Sequence, residues 1–446
     1  MITNITWNQH PILKSLKLDL KQSDGSPYNT IILAGENGTG KTSILNTLSI
    51  FLNLGSFENF SEIQYFVDNE IYTIKPLEDF ENYGFHTRTK NSTNETIKIR
   101  TNKDNNLNEI ETNDLDLRHY GCSYSKARSG FNTNLVKSST TQQLDLVKRE
   151  NDSSDDFTNI KQLLVDISSQ DNAEFTSIAK QSDSVKWSDF EPNSRSFRFK
   201  NAFNNFFDSI KFTNIDENSQ EEKKIIFKKN DSIISIDQLS TGEKQIVFRG
   251  TSLLKNSKKI TGGIVLIDEP ELSMHPKWQE KILDFYRSLY IENNVQTTQL
   301  FIATHSEYVI KSALNDSNNV LIIVLKEDAS NIIAQPIKLS EMKLPTITSS
   351  EINYRAFGIA SNDYHTQLYG HLQQITNNLK VKNFDEYIIN HSTYNQTKHK
   401  KNYHHNSTTY ESLPTYIRNC IHHPDGIHNY TDEELKISIT LLENIL

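Results

Sequence analysis

The strongest constraint on this chain is a run of eight residues, Gly35-Glu36-Asn37-Gly38-Thr39-Gly40-Lys41-Thr42, set between two apolar segments. Before it, Thr30-Ile31-Ile32-Leu33-Ala34 has the unbroken aliphatic text of a strand buried on both faces. After it, Ser43 to Leu52 continues as an apolar helix. Gly35, Gly38 and Gly40 free the backbone to turn its amides inward, and the helix that follows presents its positive end, so the loop is built to cradle phosphates. Lys41 supplies a point charge to the β- and γ-phosphate oxygens, and Thr42 supplies a hydroxyl ligand for Mg²⁺. The chain has only 15 glycines in all, so three so close together are not a drift of composition. The expected nucleotide contacts are Gly35 through Ser43, with Glu36, Asn37 and Thr39 included.

Three further segments fit a phosphate loop. Ile264-Val265-Leu266-Ile267-Asp268-Glu269-Pro270 reads as a buried strand ending in two carboxylates. Such a strand aims its C-terminal end at the ligand crevice of an open α/β sheet, where Asp268 would hold Mg²⁺ and Glu269 would polarise the attacking water. Leu239-Ser240-Thr241-Gly242-Glu243 precedes a helical run, so the Ser240 hydroxyl and nearby amides lie at a helix N-terminus. Read alone, the same residues are equally a helix cap in which Glu243 completes a capping box. Leu300-Phe301-Ile302-Ala303-Thr304-His305 ends a further apolar strand in a histidine that could reach a γ-phosphate or a hydrolytic water, although read alone such a histidine is more often structural.

In order and spacing these four elements resemble the ABC ATPase superfamily, especially its branch of SMC-like, recombination-repair and OLD-like ATPases. The resemblance covers residues 1 to about 330. It implies an α/β fold, an ABC-type P-loop ATPase head with ATP and Mg²⁺ as cofactors. Lys41, Glu269 and His305 would be the catalytic residues, Thr42 and Asp268 the metal ligands, and Glu271 to Pro276 the D-loop. Ser240, Gly242 and Glu243 would complete the site of a second subunit, which implies a homodimer or higher homo-oligomer. No convincing Q-loop glutamine is present. The nearest strand, His119 to Tyr124, runs into Ser125-Lys126-Ala127-Arg128, leaving Arg128 as a substitute. Ser240 lies 199 positions after Lys41, far too few for the long coiled coil of a chromosome-organising protein, so the insertion should be a modest helical arm.

The 446 residues leave room for four parts. We expect an ATPase lobe with an antiparallel arm at 1–134, a helical insertion at 135–210, a second ATPase lobe at 211–340 and a C-terminal α-helical domain at 341–446. Within the last, 397–405 reads as an exposed linker. No apolar run approaches the roughly 20 residues of a membrane span, and the start lacks the pattern of a signal peptide. A cytoplasmic protein with no membrane contact is expected. Cys122 and Cys420 are the only cysteines, which excludes a disulfide framework and a cysteine-based zinc site. A net charge of −9 argues against a uniformly basic nucleic-acid coat and leaves local binding of nucleic acid open.

Near the C-terminus, Arg418-Asn419-Cys420-Ile421-His422-His423 resembles the motif of HEPN ribonucleases, which implies roles on an RNA backbone for Arg418 and His423. Helix packing accounts for the same residues equally well. The text around Ser350 to Ile359 and Leu368-Tyr369-Gly370 resembles ATPases of bacterial defence islands, the Septu systems among them. That likeness implies an anti-phage ATPase that controls a separate nuclease of HNH type through ATP-dependent assembly. The alternatives are an ATPase-regulated HEPN-like ribonuclease toxin and an SMC-like DNA-repair ATPase.

Overall fold

A computed structural model describes residues 1–77, 85–100, 110, 113–127, 149–151, 157–181, 185–216, 223–255, 261–292, 295–329, 331–405 and 408–446. The chain divides into two compact units, Met1–Pro336 and Ile337–Leu446.

The first unit is organised by a seven-stranded sheet. Its order is Asn331–Ile337, Val320–Asp328, Thr30–Gly35, Gln299–Ala303, Ile264–Asp268, Cys122–Ser125 and Arg149–Asn151. From Val320–Asp328 to Arg149–Asn151 every neighbouring pair is parallel. Parallel strands need cover on both faces, and the three central ones are buried along their whole length, which explains their unbroken aliphatic text. The same register brings Gly35, Asp268 and Ala303 to one edge, because Ile264–Asp268 pairs with Gln299–Ala303 in step and Leu33 faces Ala303. Ligands bind beyond the carboxyl ends of such strands. This is an α/β architecture with the phosphate loop at the carboxyl end of a central parallel strand, as the sequence implies.

The polar stretch after the first helix forms the antiparallel strands Phe60–Val67, Glu70–Pro76, Phe85–Lys90 and Glu95–Arg100. Its hairpins extend the N-terminal strands into one antiparallel sheet of six, with Ile2–Trp7 paired between Lys17–Asp19 and Phe60–Val67. The strand expected over Leu13 to Leu20 is shorter, since Leu13 and Leu16 are buried in a turn and the strand is confined to Lys17–Asp19. The helical insertion contains Phe157–Gln181, much longer than the run legible around Ile160 to Ile167, and Arg195–Phe206. Ile210–Asp216, Lys224–Lys229 and Ser232–Ser235 make a separate antiparallel sheet.

The C-terminal unit is helical, with Asn362–Ile375, Leu413–His422 and Asp432–Ile445 around a core that includes Tyr364, Leu368, Ile417 and Ile439. Thr431 and Glu434 form the expected capping box. One expectation is overturned here. Of the segment read as an exposed linker, Thr397 to His399 lie in the short helix Gln396–His399, and the rest folds into the strand Lys400–His405, paired with Thr408–Ser412. Tyr403 is buried in the core, and two of the linker's lysines are engaged, Lys400 with Glu411 and Lys401 with Glu434. Charge density in the sequence concealed Tyr403, which pairs with Tyr410 across the hairpin and packs into the core.

One buried group should make the first unit acid-sensitive. His86 is fully buried against Phe51 and Phe57, and neither ring nitrogen has a hydrogen-bond partner among the described residues. Burial, with the nearby Arg118 cation, pushes it down to about 3. A histidine held neutral in the fold contributes stability fully above its ordinary value of 6.5, and that contribution is lost as pH falls from there toward 3. We expect a loss on the order of 4 kcal/mol across that window. His86→Phe should flatten the fall in melting temperature between pH 6.5 and 4, and an unchanged pH profile would refute this account.

Candidate functional site

The phosphate loop is shaped by close approaches that only glycine permits. Gly35 sits at φ 138°, and a Cβ there would stand 2.4 Å from the Leu325 carbonyl oxygen. At Gly40, φ is 90° and a Cβ would meet the Leu13 side chain at 2.4 Å. Gly40 is the N-cap of helix Lys41–Leu52 and offers no side chain to its first amides, which leaves them for an anion. Lys41 is buried, and its Nζ donates to the carbonyls of Gly35 at 2.8 Å and Glu36 at 2.7 Å. Burial lowers it to about 8, opposed by Glu269, Asp268, Glu271 and Glu36, so it remains a cation at neutral pH. Glu36, Asn37 and Thr42 are exposed, while Ser43 is half-buried one position further into the helix.

Asp268 and Glu269 arrive from the neighbouring strand end. The Thr42 hydroxyl donates to the Asp268 carboxylate at 3.1 Å, and burial raises the Asp268 carboxyl above its ordinary range. Glu269 follows at φ 46°, a left-handed conformation costly for a side chain with a Cβ, and its amide is held by the Ala303 carbonyl at 2.9 Å. Its Oε1 lies 3.6 Å from His305 Nε2. Burial and the Lys41 charge hold His305 below its ordinary value, so the ring is neutral at pH 7 and the contact is no ion pair there. Lys41, Thr42, Asp268, Glu269 and His305 thus form one cluster, as their sequence positions predict.

Ser240, Gly242 and Glu243 are not part of that cluster in this chain. Both readings of the segment are compatible with what is seen, because the capping box is present. Ser240 Oγ accepts from the Glu243 amide, and the Ser240 amide donates to Glu243 Oε2 at 2.7 Å. Burial pushes Glu243 up, but its bonds from Lys229 and Ser240 outweigh this and hold it low. Gly242 packs closely on Ser273 and Trp278, where an added Cβ would stand 3.0 Å from each. Among the described residues no hydrogen bond or ion pair joins this segment to the phosphate loop.

Two residues of the site go beyond the sequence assignments: Glu271, placed there only within the D-loop, and Arg249, not assigned at all. Glu271 accepts the Thr304 hydroxyl and the His305 amide on Oε1, each at 2.7 Å, which fixes the turn that carries His305. Arg249 is wholly buried on the helix Thr241–Leu254, and it donates to the Asp268 carbonyl at 2.8 Å and the Lys126 carbonyl at 3.0 Å. It ties the helix that begins at Ser240 to the strand end that carries the carboxylates. Its sequence signal was a lone charge inside the apolar run Ile246 to Leu254. Arg128, proposed above as a Q-loop substitute, lies outside the described residues. In the C-terminal unit, Arg418 bonds to Asn419 at 2.9 Å, and His423 is the C-cap of Leu413–His422. Burial, then Arg418 and His423, hold the intervening His422 below its ordinary value.

A family described as "AAA domain, putative AbiEii toxin, Type IV TA system" matches residues 31–311. The Septu protein PtuA of Bacillus thuringiensis is 24% identical over 367 residues, which covers 73% of this chain and 78% of that protein. The retron Vc95 probable ATPase of Vibrio cholerae serotype O1 biovar El Tor is 32% identical over 102 residues, 21% of this chain and 19% of its own length. Among solved structures, the SMC head bound to the C-winged helix domain of ScpA aligns with 76% of this chain and 99% of its own, at 13% identity and a TM-score of 0.42. The family match runs from the strand before the phosphate loop to beyond His305, and the chain therefore belongs to this AAA-domain family.

Proposed function

We propose that this chain binds and hydrolyses ATP as a subunit of an anti-phage defence system, and that ATP-dependent assembly of its heads controls a partner nuclease. The observation that carries the ATPase reading is the convergence of Lys41, Thr42, Asp268, Glu269 and His305 at adjoining strand ends. The defence setting is supported by the likeness to the Septu protein and a retron ATPase.

In this reading the loop amides and Lys41 hold the phosphates. Thr42 and Asp268 fit Mg²⁺, since they offer a hydroxyl and a carboxylate oxygen within 3.1 Å of each other. Burial raises the Asp268 carboxyl, a cost that a cation would relieve. The metal, when bound, neutralises charge on the phosphate oxygens. Glu269 accepts a proton from water as the water oxygen bonds to the γ-phosphorus, and the bond to the β-phosphate oxygen breaks. Neutral His305 orients that water or the γ-phosphate. Ser240 and Gly242 act in a second copy's site, which agrees with their isolation from this chain's own loop.

Mixing two inactive variants tests the assignment. Lys41→Ala removes the phosphate cation, and Ser240→Arg obstructs the signature at an exposed position. Each variant alone should lack turnover. An equimolar mixture should recover about a quarter of wild-type activity, because half the dimers then hold one site built from two intact faces. No recovery would overturn completion in trans.

A further inference from the structure

We infer that a cavity beneath the helix Thr241–Leu254 is a second ligand site, for a small molecule joining a planar heteroaromatic ring to an anionic group, the chemistry of a mononucleotide. The cavity has a volume of about 390 Å³, within the range of small-molecule sites. It is lined by the long insertion helix, the helix Arg195–Phe206, the strand Ile210–Asp216 and the last turn of Thr241–Leu254, and opens to solvent beside Trp187.

Its walls are chemically mixed. Trp187, Phe197 and Phe212 present aromatic surface, and Trp187 is half-exposed yet braced edge-on by Phe175 at 5.0 Å, as suits a stacking platform. Lys200 provides the cation for an anionic group, and Glu191 provides an acceptor for the amino edge of a base. Thr251 stands in the wall formed by the helix Thr241–Leu254. It lines the cavity, is completely buried, and its hydroxyl has no partner among the described residues. A threonine inside a helix usually bonds back to the preceding turn, so a buried hydroxyl that does not is a polar group in want of a ligand.

The same place is linked to the nucleotide-site cluster. Gly250 allows no side chain, since a Cβ would stand 2.8 Å from Phe285 and 3.1 Å from Phe199, itself a wall of the cavity. The preceding residue is Arg249, which holds the Asp268 carbonyl. An occupant pressing on Thr251 and Phe199 therefore bears on the helix that steers the carboxylates. The binding site stands without the ATPase reading, whereas this coupling rests on it.

Calorimetric titration of AMP and GMP into the Lys41→Ala protein tests binding apart from the phosphate loop. At least one should bind, and Lys200→Glu and Trp187→Ala should each weaken it about ten-fold or more without lowering the melting temperature. Thr251→Val should weaken it less. The site is overturned if neither nucleotide binds at about 1 mM, or if binding ignores Lys200→Glu and Trp187→Ala. ATP turnover by the wild-type head should shift at saturating ligand and fail to shift in Lys200→Glu. Intact binding with unmoved turnover would overturn the coupling alone.

Discussion

Glu269→Gln is expected to bind ATP as the native chain does and to hydrolyse it on the order of 10²–10⁴-fold more slowly, the range that a positioned general base supplies. The amide keeps the volume and the hydrogen-bonding reach of the carboxylate, so neither the φ of 46° nor the amide bond to Ala303 should change. Only the capacity to take a proton is lost. His305 cannot replace it readily, because its own proton affinity is depressed by burial and by Lys41, and its Nε2 already faces Glu269 at 3.6 Å. If Ser240 and Gly242 close a second copy's site, the variant should also accumulate as an ATP-bound dimer in sedimentation. Single-turnover hydrolysis within about three-fold of the native rate would remove Glu269 from the mechanism.

What the sequence disclosed, and what it hid, follows from the range of the interactions. The loop, the strand ending in Asp268 and Glu269, and His305 were legible because each is a local pattern whose position at a strand end fixes its direction. Glu271 was legible only as part of a loop, since its task is defined by Thr304 and His305 across a neighbouring strand end. Leu13 and Leu16 imitate a strand face, yet their burial comes from a turn that packs beneath Gly40. The stretch 397–405 shows the opposite failure, where a run of lysine and histidine suggested a solvated linker although Tyr403 anchors a hairpin in the C-terminal core. Composition reports average polarity, and a single buried ring in a polar segment escapes it.

Arg249 is the residue whose role sequence reasoning could not supply, and its replacement carries the second large expectation. Its guanidinium spans two main-chain carbonyls from separate strands' ends, Asp268 and Lys126, and no side chain other than arginine offers donors in so fixed a fork. Arg249→Met should leave both carbonyls short of a buried donor and destabilise the first unit by about 2–4 kcal/mol. That outcome alone would mark a structural residue. Arg249→Lys separates the roles, because a lysine keeps the charge and reaches one carbonyl but cannot bridge both. If Arg249 positions the carboxylates, the lysine variant should recover much of the melting temperature while kcat falls about ten-fold or more, since a small displacement of Asp268 and Glu269 spoils the geometry of attack. KM for ATP should stay near the native value, because the loop and Lys41 are untouched. Native turnover in the lysine variant, or a loss of kcat that merely tracks unfolding, would reduce Arg249 to a packing element and cut the proposed line from the cavity to the carboxylates.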